Sequence, residues 1–257
     1  MARLPRYVLP GQPQHVIQRG NNRAAVFFRD EDYRLYLHYL GEACMRHCCE
    51  VHAYVLMSNH VHLLLTPGDE SGISKVMQSL GSRYAQYVNS TYRRTGTLWD
   101  GRYRSTVVDP DVFLLPCMHY VELNPVRTDI VSHPRLYRWS SYRCNAEGEP
   151  DLVVRTHAAY ERLAETPGAR QEKYRALARV SPDEETFAAI RNATNKGWVL
   201  GGSAFRERLE AVLNRRMQPL PRGGDRRSKR VRPQDASIAS DPFVLADQPQ
   251  PTPHDEG

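Results

Sequence analysis

Between Val51 and Thr66 the chain reads VHAYVLMSNHVHLLLT, two apolar runs separated by Ser58 and Asn59. Short apolar runs joined by a two-residue turn predict a β-hairpin. In the first strand Val51, Ala53, Val55 and Met57 alternate onto one face; in the second, Val61, Leu63 and Leu65 take one face and His60 and His62 the other. The flanks restrict the fold further. HVIQRG (His15 to Gly20) reads as a strand, and DEDYRLYLHYLGEACMRH as a helix with acidic residues in its first turn. After the hairpin, Ile73, Met77, Leu80, Tyr84 and Val88 form the stripe of a helix over 74–92, and RYRSTVVD (Arg102 to Asp109) is a further strand. Asp109 can cap a third helix with Pro110 in its first position, and Pro125 stops that helix near Asn124. The order strand, helix, strand, strand, helix, strand, helix predicts an α+β protein: a ferredoxin-like antiparallel sheet with packed helices.

Composition divides the chain into four parts. Residues 1–145 hold the pattern above and carry 17 basic against 12 acidic side chains. Residues 146–180 read as a helical linker. Residues 181–216 read as a small helical region around NKGWVLGG, with Ser181 and Glu184 placed for a capping box. The tail, 217–257, has the composition of a disordered segment, basic and then acidic: residues 215–232 hold eight basic side chains and one acid, residues 233–257 five acids and no base. A basic first domain and a basic tail, within a formal charge of +6, point to a polyanionic partner such as nucleic acid. No run approaches the roughly 18 apolar residues of a membrane span, and the N-terminus lacks the apolar stretch of a secretory signal, so a cytoplasmic location is expected. Five unevenly placed cysteines make no disulfide framework and are expected to be reduced. Cys44, Cys48 and Cys49 lie near His47 and His52 without a zinc-module spacing, so ordinary buried cysteines are the simpler reading.

Residues two apart on a strand point the same way, with Cα atoms roughly 6.5 Å apart, so His60 and His62 can converge on one ion. For a bare His-x-His, two independently hydrogen-bonded rings are the commoner outcome. Two ligands also leave most of a coordination sphere open. In CMHYVELNPVR, Tyr120 and Asn124 stand four apart on one helical face, where Asn124 can supply a third ligand with the Tyr120 phenol beside it; a terminal cap and a partly buried tyrosine would produce the same spacing. Two imidazoles and an amide are all neutral, so a divalent ion held by them keeps its full charge for polarising a phosphate. A tyrosine with an ordinary pKa of about 10 needs nearby positive charge, or a base, to act as a nucleophile. Between Arg83 and Arg104 five arginines and one acid, Asp100, are interleaved with Tyr84, Tyr87, Tyr92, Trp99 and Tyr103. Such a mixture suits phosphates and unpaired bases, and equally a solvated face with Tyr84 and Tyr87 in the core.

Together these residues resemble the single-tyrosine HUH transposases and, within them, the REP-associated tyrosine transposases of bacteria. The resemblance covers residues 7–143 and is carried, in order, by HVIQRGNNR, HAYVLMSNHVHLLLTP, GTLWDGRYRS, YVELNPVR and WSSY. It implies Mg2+ or Mn2+ bound by His60, His62 and Asn124, and Tyr120 as the nucleophile. The implied reaction is cleavage and rejoining of single-stranded DNA through a 5′-phosphotyrosine and a free 3′-OH. The implied partner is single-stranded or hairpin DNA, engaged by a monomer or homodimer at the nucleoid. Arg19, Asn21, Asn22 and Arg23 match by position the strand and loop near the flanking bases; Arg83, Arg93, Arg94, Trp99, Arg102 and Arg104 complete the expected DNA-binding set. An HUH replication initiator or relaxase, or a domesticated DNA-binding protein that does not cleave, are the alternatives. Two features depart from the family pattern. Pro116 falls in the middle of the expected third helix, where it would remove a hydrogen bond, and residues 146–257 lie beyond the matched blocks, where they are expected to add DNA affinity.

Overall fold

The computed structural model describes residues 8–179, 184–213 and 216–217. Residues 1–219 form one compact unit; 220–257, the second, lie outside the described residues. Along the chain come β1 (Gln14–Arg19), a 3-10 turn (Asn21–Arg23), α1 (Asp30–Arg46), β2 (Cys49–Met57), β3 (His60–Pro67), α2 (Gly72–Thr91) and β4 (Arg104–Val107). There follow α3 (Leu114–Glu122), α4 (Asn124–Arg127), α5 (Tyr142–Glu147), α6 (Ala158–Glu161), α7 (Pro167–Arg179), α8 (Glu184–Lys196) and α9 (Ser203–Leu213). The four strands lie in the order β2-β3-β1-β4, every neighbouring pair antiparallel. This is the ferredoxin-like sheet that the element order predicts, with two helical crossovers. Among the described residues no helix is long and apolar enough to cross a membrane.

One face of the sheet packs against α1 and α2. Val16, Leu56, Val61, Leu63 and Leu65 meet Tyr36, Leu40, Leu80 and Tyr84 in a continuous core, where each buried leucine contributes roughly 1.5–3 kcal/mol relative to exposure. The two helices are tied through Asp32. Its buried carboxylate accepts from the Phe28 and Arg29 amides at the start of α1 (2.7 and 3.1 Å) and from the hydroxyls of Tyr87 and Tyr92 (2.8 Å each). The other face carries Ala53, Val55, Met57 and Leu64 against α3 and residues of α5 to α8.

Two local expectations are corrected. The alternation in β2 does not run through: the register slips between Val51 and Ala53, so Val51 joins the α1/α2 core while Ala53, Val55 and Met57 face α3. A bulge adds one residue and inverts the pattern beyond it. Here the extra residue is His52, buried with one ring nitrogen 2.8 Å from the Arg155 carbonyl and the other 2.7 Å from the Thr66 hydroxyl. The second correction concerns Pro116. The helix starts at Leu114, after a turn in which the Asp109 carboxylate accepts from the Asp111 amide at 3.2 Å. Pro116 is therefore in the first turn, where the backbone nitrogen has no intrahelical acceptor, and Tyr120 follows on an unbroken helix. The helices expected around NKGWVLGG are α8 and α9; Ser181 and the tail from 218 lie outside the described residues.

Candidate active site

The strand register builds the floor of the site. Arg19 on β1 pairs with His60 on β3, and Ile17 with His62 on one side and Arg104 on the other. These side chains therefore share the face opposite α1 and α2, with the His60 and His62 ring centroids 5.0 Å apart. Across this face lies α3, which sets the Tyr120 ring 5.8 Å from that of His62; the Asn124 amide nitrogen is 3.4 Å from His62 Nε2. Arg127, on α4, holds its guanidinium 5.3 Å from the Tyr120 ring centre. From the far side α8 contributes Phe187, with its ring 5.5 Å from that of Tyr120, together with Arg191 and Asn195. A cavity of about 370 Å³ results, lined by His60, His62, Tyr120 and Asn124, by five arginines (Arg19, Arg102, Arg104, Arg127 and Arg191) and by a single acid, Asp100.

The helix that carries Tyr120 is anchored by a buried carboxylate. Glu122 accepts from the Ser141 hydroxyl (2.6 Å) and the Asn145 amide (2.7 Å) on one oxygen and from the Tyr174 hydroxyl (2.7 Å) on the other. Burial pushes its pKa up to about 7, against the pull of these three donors. The WSSY block thus finds its partner in YVELNPVR: Ser141 holds α3 through Glu122.

Burial also decides the charge state of the histidines. It lowers His15 to about 3 and His60 to about 4, the latter helped by Arg19, and holds His62 well below its ordinary value with His60, His15, Arg19 and Arg127 adding to the effect. All three rings are neutral at pH 7, and those of His60 and His62 keep a lone pair for a ligand, as metal binding requires. His60 Nδ1 lies 2.7 Å from Asn59 Oδ1, an acceptor, so Nδ1 carries the proton and Nε2 is free. Among the described residues no three His, Cys, Asp or Glu side chains are grouped to hold a metal ion. The site fits a divalent cation with His60, His62 and the Asn124 amide as donors, the amide acting through its oxygen. At Tyr120 burial raises the phenol's pKa, while Arg127 and then Arg191 oppose it.

Not every expected DNA-binding residue reaches the cavity. Arg19, Arg102 and Arg104 do. Arg83 stands on α2, behind the sheet, paired with Glu42 at 2.8 Å and stacked 4.0 Å from the Tyr39 ring centre. Trp99 spends its ring on the core beside Tyr36 and Tyr84, its N–H donating to the Gly81 carbonyl at 3.1 Å. Arg93 is exposed and Arg94 half-buried in the loop after α2. Asn21 donates to Thr97, while Asn22 and Arg23 are exposed with positive φ (50° and 59°), a conformation that asparagine tolerates better than most residues. Conversely, Arg127, Arg191, Asn195 and His15 were not anticipated. Arg127 is legible in retrospect, since it stands seven residues after Tyr120, two turns along the same face. His15 alternates with Ile17 and Arg19. Nothing local marks Arg191 or Asn195.

A model of the family described as "Transposase IS200 like" matches residues 11–124, under half of the chain. No curated protein matches it. Among solved structures, a REP-associated tyrosine transposase bound to a REP hairpin is 17% identical, with a TM-score of 0.47 over 62% of this chain and 96% of that one. A candidate transposase from Deinococcus radiodurans R1 is 22% identical, with a TM-score of 0.33 over 51% of this chain and 92% of that one. A bacterial tRNA(His) guanylyltransferase-like protein in complex with GTP is 13% identical, with a TM-score of 0.35 over 50% and 67%. All three scores fall short of 0.5 and carry no argument; residues 11–124, the segment that contains His60, His62, Tyr120 and Asn124, match the model of the IS200-like transposase family.

Proposed function

We propose that the protein is a metal-dependent single-stranded DNA endonuclease and strand transferase of the REP-associated branch, acting on hairpin DNA in the cytoplasm. The observation that carries this reading is the convergence of Tyr120, Asn124, His60 and His62 on one cavity ringed by five arginines. Guanidinium groups take phosphate oxygens in bidentate fashion, so Arg19, Arg102, Arg104, Arg127 and Arg191 bind and orient a phosphodiester over the phenol. Arg127 and Arg191 also favour the phenolate that burial resists. The Tyr120 oxygen attacks phosphorus, forming a Tyr–O–P bond and breaking the bond from phosphorus to O3′. The leaving oxygen takes a proton to become a free 3′-OH, and the phosphate stays on the 5′ side. Held by His60, His62 and Asn124, Mg2+ or Mn2+ supplies Lewis-acid polarisation of the phosphate. Attack by a 3′-OH reverses the sequence and rejoins DNA without a nucleotide cofactor.

The test is incubation of the full chain, and of Tyr120→Phe, with end-labelled single-stranded hairpin DNA and Mn2+ or Mg2+, followed by denaturing electrophoresis. Wild type is expected to give a covalent adduct and Tyr120→Phe none. An adduct in Tyr120→Phe excludes this nucleophile. Binding without an adduct on every hairpin, including those from its own genome, favours a domesticated DNA-binding protein.

A further inference from the structure

Behind His62 runs a chain of hydrogen bonds that ends on a helix outside the family segment. His62 Nδ1 lies 3.0 Å from His15 Nε2, with the two rings stacked 13° from parallel. His15 Nδ1 lies 2.8 Å from the Thr194 hydroxyl oxygen, and that hydroxyl lies 2.9 Å from the Ile190 carbonyl, one turn back on α8. We propose that Thr194 and His15 are positioning residues that fix His62 in the Nδ1–H tautomer, so that its Nε2 lone pair faces Asn124.

The direction of every proton follows from the end of the chain. A carbonyl only accepts, so the Thr194 hydrogen points at Ile190. The Thr194 oxygen must then accept from His15, which makes His15 Nδ1 the protonated nitrogen. His15 is fully buried with only the Thr194 hydroxyl and the His62 ring against its nitrogens, and a neutral imidazole carries one proton. His15 Nε2 is left as an acceptor, and His62 Nδ1 donates to it. Only Nε2 of His62 then remains to bind an ion, and this is the atom nearest the Asn124 amide. Metal-binding histidines commonly gain orientation and basicity when the second nitrogen donates to a fixed acceptor. Here the acceptor is another imidazole, locked in turn by a threonine 179 residues away in sequence. That α8 packs on the site through Phe187, one face of the same helix, gives Thr194 a fixed seat.

The inference rests on the metal reading above for its purpose, but its central claim is read without metal. In the metal-free wild-type protein labelled with 15N-histidine, long-range proton–nitrogen spectra should show His62 and His15 as Nδ1–H tautomers. An Nε2–H tautomer at His62 overturns the proposal outright. Mn2+ affinity, measured by titration calorimetry on the full chain, should fall roughly 10- to 100-fold in Thr194→Val and His15→Leu. Thr194→Ser keeps the hydroxyl and should stay within about threefold of wild type. Thermal unfolding identifies any variant that fails to fold, in which case Thr194→Ser and the wild-type spectra decide. If wild type binds Mn2+, His62→Ala does not, and Thr194→Val and His15→Leu bind as wild type does, the relay is refuted while the metal site stands. If wild type binds no Mn2+, the metal reading fails and the spectra alone judge the relay.

Discussion

Glu122→Gln isolates the charge on the anchor of α3, the helix that carries Tyr120. Glu122 is fully buried, and its pKa stands at about 7 against an ordinary value of 4.5. A carboxyl with a raised folded pKa stabilises most below its unfolded pKa, and that contribution is lost as pH rises through the folded value. The full loss for a shift of this size is about 3 kcal/mol, and the part falling between about pH 5.5 and pH 8.5 is about 2 kcal/mol. Glutamine keeps an oxygen for Ser141 and Asn145 but presents an amide to the Tyr174 hydroxyl, which costs about 1 kcal/mol at every pH. Urea unfolding of both proteins at the two pH values gives the difference of differences, from which the titrations common to both proteins cancel. Wild type should lose about 2 kcal/mol more than Glu122→Gln on going to the higher pH. An equal pH dependence in the two proteins would refute the argument that Glu122 is an expensive buried charge.

Three further outcomes follow from the geometry. Glu184 lies 2.8 Å from Arg191 and 3.4 Å from Arg127, so Glu184→Gln should release two guanidinium groups for phosphate, tighten binding of single-stranded DNA, and steepen its log–log salt dependence by up to about 1.4; fluorescence anisotropy across a salt series checks this, and an unchanged slope counts against it. Gly20 has no room for a side chain, because a Cβ would lie 2.3 Å from the Ala24 carbonyl oxygen and 2.8 Å from a Val26 methyl. Gly20→Ala should therefore lower stability by about 1–3 kcal/mol, whereas Gly168→Ala, with nothing within 4 Å, should not; melting temperatures compare the two. His52 and His119 are buried and held at about 4, so the unfolded rings take protons below pH 6.5 while the folded ones do not. Stability should fall with acid by about 2 kcal/mol per ring at pH 5, and His52→Asn should flatten that slope in chemical denaturation.

The sheet was legible because periodicity and burial coincide in its strands. Val61, Leu63 and Leu65 face the helices, and His60 and His62 face away, as their alternation requires. The alternation misled only at His52, where a polar side chain found two partners within the bulge and no sequence pattern announces that it will. Pro116 misled because the start of α3 was placed at Pro110, four residues too early; the proline belongs to the first turn rather than the middle. Within the site, His60 with His62 and Tyr120 with Asn124 could each be paired by spacing, whereas the joining of the two pairs, 58 residues apart, was implied by the family resemblance. The arginines divide by which side of the sheet they stand on, and a charge count cannot see that: Arg83 and Arg104 look alike in a row of letters, yet one pairs with α1 and the other lines the cavity. The α8 residues were invisible for a plainer reason. Contacts such as Thr194 to His15 join the two ends of the described chain, and nothing near Thr194 carries the signature of chemistry.

That long-range contact also sets a timetable. A ribosome that has completed Arg127 has made His60, His62, Tyr120, Asn124 and four of the five cavity arginines. Thr194 and Arg191 do not yet exist. At roughly 5–20 residues per second, α8 follows Arg127 after about 3 to 13 s. During that interval the nascent chain holds the proposed nucleophile and metal ligands without the hydrogen bonds that tie His62 through His15 to α8, so synthesis itself separates the making of these residues from their positioning.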